Sequence, residues 1–203
     1  MPPKCLSVRL LIRMTVETDS RRSSADYTRA EQIGRVLWNA LQPLFAYSPR
    51  LMYAWRNFLL RLFGAEIGSK VQIYPSVRIF TPWTLAVGAG VTIGDNARIY
   101  NVGRIVINDD VTISQNAHLC AGTHDYQRSD MRLVRTPIVV QSNSWICCDA
   151  FVGPGVTIGK NAIVGARSVV FKDVGEGLIV GGNPAKFIRY RAEKNCHNHL
   201  KSA

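Results

Sequence analysis

The stretch from Val140 to Gly175, VQSNSW-ICCDAF-VGPGVT-IGKNAI-VGARSV-VFKDVG, divides into hexads with an aliphatic residue at every first position: Val140, Ile146, Val152, Ile158, Val164 and Val170. The fifth positions, Ser144, Ala150, Val156, Ala162, Ser168 and Val174, are all small or β-branched. A helix of roughly 3.6 residues per turn cannot hold a period of six on one face, and plain alternation has no need of small residues at a fixed offset. Six residues make a short strand and a turn, so three hexads close a triangular coil of about eighteen residues. Lead aliphatics from successive coils then stack inside a prism, with coils roughly 4.8 Å apart.

The same rhythm runs upstream through IGSKVQ, IYPSVR and IFTPWT from Ile67, IGDNAR from Ile93, and INDDVT, ISQNAH and LCAGTH from Ile107. Slips near 85–92 and 105–106 reset the register. The pattern predicts an all-β left-handed parallel β-helix over 65–190, with coils at 107–124, 140–157 and 158–175. The hand is the one associated with hexapeptide periodicity, against the usual right-handed crossover. The rhythm breaks at THDY: His124 is followed by the charged, irregular segment DYQRSDMRLVRT, Asp125 to Thr136.

Before the coils, EQIGRVLWNALQPLFAYSPRLMYAWRNFLLRLFGAEIG (residues 31–64 with the following Ala-Glu-Ile-Gly) clusters Trp, Phe, Leu and Tyr among Arg35, Arg50, Arg56 and Arg61. Pro43 and Pro49 divide this segment into two short amphipathic helices, the second over about 49–63. Two roles suit it: a cover over the open strand edge of the prism, or contact with an anionic membrane surface through residues 33–63. Residues 1–30, polar and Ser/Arg-rich, and the tail 191–203 read as disordered.

The formal net charge of +11 asks for an anionic partner. Its basic residues are scattered and lack an aromatic-basic motif, which argues against nucleic acid. Cys5, Cys120, Cys147, Cys148 and Cys196 form no CxxC pair, so neither a disulfide framework nor a zinc site is predicted. Reduced thiols suit a cytoplasmic chain. Arg9 and Arg13 interrupt a signal-peptide core, and the uncharged run Val36 to Pro49 is too short to span a bilayer.

The hexads, the THDY interruption, the run VGPGVTIG and the closing GGNPAKFIR together resemble the hexapeptide-repeat O-acetyltransferases, in particular the colanic acid biosynthesis branch, relatives of galactoside and maltose acetyltransferases. LWNALQPLF, YSPR and WRNFLLRLFGAEIG extend the resemblance to about residues 33–190. It implies a homotrimer that binds acetyl-CoA between neighbouring prisms and needs no metal. It also implies a sugar or carrier-linked oligosaccharide acceptor, with His124 as general base. The chemistry asks for the same residue type, because a sugar hydroxyl is a poor nucleophile until a neutral imidazole takes its proton.

By the same resemblance Asn101 contacts acceptor and Trp145 lines the cleft between subunits, while Asp125 orients the imidazole or contacts sugar. The backbone of Ala166 holds the pantetheine arm, with Cys148 and Phe171 beside the donor. Lys172, Lys186 and Arg189 meet the CoA phosphates, which need charge-assisted donors. Two features depart from the family: Cys147 and Cys148 stand where small residues are usual, and Phe171 replaces a small polar residue. The implied function is acetyl transfer to a sugar hydroxyl in polysaccharide or exopolysaccharide assembly. The alternatives are acetylation of a free sugar or other small hydroxyl compound, and a non-catalytic scaffold. A three-histidine zinc site of the γ-class carbonic anhydrase kind is disfavoured, since only His118 and His124 lie in the prism.

Overall fold

The computed structural model describes residues 27–191. Lead aliphatics from Ile73 to Val170 point inward and are buried, as are the fifth positions from Val71 to Val174 apart from Trp83 and Thr123. The fourth position makes the corner. Asn96, Asp110, Asn116, Asn143, Asp149 and Asn161 all take left-handed backbone with φ between 56° and 61°. Short polar side chains tolerate that conformation, while Lys70 and Arg167 adopt it at a cost of about 1–2 kcal/mol each.

The corners separate three faces of parallel strands. Face A stacks Glu66–Ile67, Leu85–Val87, Ile105–Ile107, Ile138–Val140 and Thr157–Ile158. Face B stacks Gln72–Ile73, Thr92–Ile93, Thr112–Ile113, Trp145–Ile146 and Ile163–Val164, and ends in Leu178–Gly181 with Lys186–Tyr190 antiparallel to it. Face C stacks Arg78–Ile79, Arg98–Tyr100, His118–Cys120, Phe151–Val152 and Val169–Val170. The result is the predicted left-handed prism.

Successive coils exchange backbone hydrogen bonds in both directions; Gly90 N, for example, donates back to Ser69 O. In the first coil the N–H groups of Gly68, Gln72, Tyr74, Arg78 and Phe80 donate to carbonyls of the second coil. The carbonyls of Ile67, Gly68, Val71, Ile73 and Ile79 are left facing the N-terminal end, where no strand follows. Helices α1 (Arg29–Ala46) and α2 (Tyr53–Leu62) cover that end and supply donors. Arg56 Nε donates to Ile73 at 2.6 Å, Asn57 Nδ2 to Val71 at 2.8 Å and Trp38 Nε1 to Ile79 at 2.8 Å. Arg61 donates to both Ile67 and Gly68. Every one of these is a donor, as a carbonyl edge requires.

Of the two roles read for this segment, the packing supports the cover. Trp38, Phe45, Leu59 and Leu60 are buried against the prism, although Ile33, Val36, Leu37 and Phe58 remain exposed. Among the described residues no helix is long and apolar enough to cross a membrane. Pro43 does not end the first helix as expected; α1 runs through it to Ala46. The proline is exposed, so water can serve the carbonyl it leaves free, while buried Phe45 anchors the last turn. The helix also begins earlier than predicted, at Arg29, behind a Thr28–Glu31 capping box. Arg191, assigned to the flexible tail, donates to the carbonyls of Asn143 and Asn161. The rest of the predicted disordered ends, 1–26 and 192–203, lies outside the described residues.

Arg56 is wholly buried and also donates to Ser48 Oγ, Pro49 O and Arg50 O, tying the interhelical turn to the edge. Arg56→Met strands these acceptors and should cost about 3 kcal/mol, or roughly 6–12 °C in Tm for a chain of this size. Arg61→Met, at an exposed site, should cost far less. Thermal unfolding of both variants checks the ranking, and equal losses would contradict the edge-capping account.

Candidate active site

Three successive passages from face C to face A depart from the tight hexad corner. The first, residues 80–84, holds a short 3-10 turn at Pro82–Thr84. The second, residues 101–104, is braced by Asn101. The third carries an antiparallel hairpin, Gly122–His124 against Leu133–Arg135, so the last hexad of the predicted coil 107–124 leaves the prism after Ala121. The hairpin is rooted on the second passage. Gly103 N and Thr136 N both donate to Ala121 O, and a Cβ on Gly122 would collide with Val102. Its outer strand is held to α1 by Arg135, 3.0 Å from Glu31 and stacked over Tyr27.

His124 is exposed on this hairpin, and its Nδ1 lies 2.6 Å from the Met131 carbonyl. A carbonyl only accepts, so Nδ1 carries the proton of the neutral ring and Nε2 keeps its lone pair. Met131 reaches that position in a left-handed conformation, φ 49°, unusual for an unbranched long side chain. Asp125 does not orient the imidazole as one of its two expected roles required. Its carboxylate instead accepts from Gln127 N and shapes the turn.

Asn101 also departs from expectation. It is fully buried; its oxygen accepts from Phe80 N and Thr81 N, and its amide donates to Thr81 O and Thr84 Oγ1. With its groups spent inside the chain, it presents nothing to a ligand and instead braces the passage on which the hairpin stands.

The remaining predicted residues are spread around the prism. Phe171 and Lys172 follow the last face C strand at the hairpin's corner, with the Phe171 ring 5.7 Å from Phe151 and seated over Gly153. Cys148 and Ala166 sit at a different corner, between faces B and C. Trp145 projects from face B, 45% exposed, its indole N–H on Ser114 Oγ at 2.8 Å. Lys186 and Arg189 lie on the closing strand at the end of face B. A single chain thus does not bring His124 together with Trp145, Cys148 or Ala166. Ser114 and Met131, which hold two of these side chains, carry no sequence signal of their own.

The donor-side residues suit a CoA-like molecule. Ala166 is exposed, and neither its N–H nor its carbonyl has a partner among the described residues, which leaves a backbone pair for an amide-bearing arm. Lys172, Lys186 and Arg189 are exposed and form no ion pair among the described residues. Cys147 is a poor nucleophile candidate, since burial and the neighbouring Cys148 push its thiol pKa up.

On face C, burial and then the adjacent Arg98 lower the pKa of His118. The fold favours the neutral ring, so the unfolded chain binds the proton more readily. Stability should therefore fall as pH drops below about 6.5. Urea midpoints at pH 5.5 and 7.5 should differ less in His118→Gln than in the unmutated chain.

The family model for the bacterial transferase hexapeptide (six repeats) matches residues 137–172. The chain is 48% identical over 158 residues to WcaF of Escherichia coli (strain K12), named for an acetyltransferase role in colanic acid biosynthesis; the match covers 77% of this chain and 87% of that protein. A galactoside acetyltransferase solved with coenzyme A superposes with a TM-score of 0.77 at 26% identity, over 87% of this chain and 90% of that one. A hexapeptide-repeat acetyltransferase of Vibrio cholerae O1 biovar eltor, solved with acetyl coenzyme A, gives 0.74 at 28% identity, over 82% and 91%. Prism, interrupting histidine and these likenesses agree: the chain belongs to the hexapeptide-repeat acetyltransferase family.

Proposed function

We propose that this acetyl-CoA-dependent acetyltransferase modifies a sugar hydroxyl during polysaccharide assembly, with His124 as general base. One observation carries the assignment of the base: the Met131 carbonyl fixes the proton on Nδ1 and leaves Nε2 to accept. Acetyl-CoA supplies the acetyl group as a thioester. His124 Nε2 takes the hydroxyl proton as the oxygen attacks the thioester carbonyl. The C–S bond then breaks, and the imidazolium returns the proton to the departing sulfur, which restores the neutral ring.

The donor arm lies along Ala166 and Cys148, with Phe171 packing beside it and Lys172, Lys186 and Arg189 toward its phosphates. Trp145 flanks the acceptor. Since these groups occupy different sides of one prism, the working site forms between copies in a homotrimer. The likeness to a colanic acid acetyltransferase supports a polysaccharide acceptor over a free sugar.

CoA release from acetyl-CoA, measured against sugars, nucleotide sugars and oligosaccharide repeats, tests the reading. His124→Ala should lower kcat about 10²–10⁴-fold. Acceptor-independent release, or full activity in that variant, would refute the base. A second pair of variants tests the backbone device. Met131→Pro fixes φ near about −65° and cannot aim the carbonyl at Nδ1, so kcat should fall at least about tenfold with KM for acetyl-CoA unchanged. Met131→Gly adopts the native φ freely and should stay within a few-fold of the unmutated chain.

A further inference from the structure

Face C carries two arginines and a histidine in one row on its outer surface. Arg78 is directly opposite Arg98, Arg98 opposite His118, and His118 opposite Phe151. Adjacent rungs are roughly 4.8 Å apart, and like charges facing each other across a ladder are destabilising. The corresponding rows avoid this: Gln72, Thr92, Thr112 and Trp145 on face B, and Glu66, Ala86, Val106 and Val139 on face A.

Among the described residues, no carboxylate offsets the pair. Neither Arg78 nor Arg98 forms an ion pair, and the nearby acids are engaged elsewhere. Asp95 is 3.5 Å from Arg50 and accepts from Ser76 Oγ, while Asp149 is 3.9 Å from Arg167. A ladder that violates charge alternation at one place without internal compensation marks a binding surface.

The space above the row is shaped. A cavity of about 440 Å³ is lined by Arg78, Asn96, Arg98, Asn116, His118 and Asp149. A second, of about 540 Å³, shares Arg78, Asn96 and Arg98 with it. This second hollow lies under α1 and is walled by Phe80 and Tyr100, whose ring centroids are 4.8 Å apart.

We propose that this row binds the pyrophosphate of an acceptor, so that the sugar is presented as a glycosyl pyrophosphate. A carboxylate fills one guanidinium fork. Two forks on adjacent rungs, with an imidazole and two corner amides beside them, match two linked phosphates. The aromatic hollow suits the apolar or aromatic group on the far side of the pyrophosphate, either a nucleoside or an isoprenoid. Naming the ligand as the acceptor rests on the acetyl-transfer reading; the anion site itself does not.

Calorimetric titration with inorganic pyrophosphate, UDP and farnesyl diphosphate, without acetyl-CoA, tests the site. Saturable binding is expected, and Arg78→Gln with Arg98→Gln should weaken it by roughly tenfold for each arginine removed. Because the substitutions relieve repulsion at exposed positions, the double variant should melt no lower than the unmutated chain. Tighter binding of UDP assigns a nucleotide-linked acceptor, and tighter binding of farnesyl diphosphate a lipid-linked one. No saturable binding of any probe, unchanged binding in the double variant, or a loss confined to acetyl-CoA affinity would overturn the proposal. Pyrophosphate binding without CoA release in any assay would instead count against the acetyl-transfer reading.

Discussion

The structure depends on pairing the backbone groups that the end coils of the prism leave over. Successive coils exchange hydrogen bonds both ways, and the first coil is left with a set of carbonyls facing outward, which makes the N-terminal end of the prism its carbonyl end. At the carbonyl end, one donor-only array from two short helices meets the edge: Arg56, Asn57, Arg61 and the Trp38 indole. At the far end, Lys186–Tyr190 turns back antiparallel and closes face B. Buried hydrogen-bonding groups tolerate few orphans, which is why a segment rich in aromatic residues and arginine packs on the prism.

Within those ends, the corners carry the individuality of the chain. Left-handed residues keep most corners tight. The passage from face C to face A is the one that loosens in three successive coils, and each loosening supports the next. The Pro82–Thr84 turn is held by buried Asn101, and Asn101 lies in the passage on which the hairpin of His124 stands. His124, the proposed base, therefore sits on an ordered stack, although its own strand is short and exposed. The left-handed Met131 adds backbone strain where it aims a carbonyl, a common arrangement at functional sites.

The same geometry explains how charge is distributed. Exposed cations at the closing strand and at the hairpin corner face outward from a single prism, and a different set lines face C. A prism of parallel strands displays outward side chains in fixed columns one rung apart, so a repeated cation becomes a linear array. Such an array is suited to extended, multiply charged ligands.

Period-six aliphatics with small fifth positions were enough to determine the prism and the break at His124, because so strict a repeat fits only stacked coils, although the last hexad of the coil 107–124 leaves the prism as a hairpin. The proposed donor-side residues rest on family resemblance. Tertiary structure decided the rest. Asn101 looked like a turn amide available to substrate, but the coil beneath it consumes every group it has. Asp125 stood next to the histidine in sequence, yet a carbonyl seven residues away took the imidazole nitrogen, since a hairpin brings its two strands together regardless of adjacency. Pro43 read as a helix end, but packing of Phe45 outweighed one lost hydrogen bond. Arg78, Arg98 and His118 are about twenty residues apart in sequence; only the closure of each coil turns that spacing into contact, and no six-residue reading reveals it.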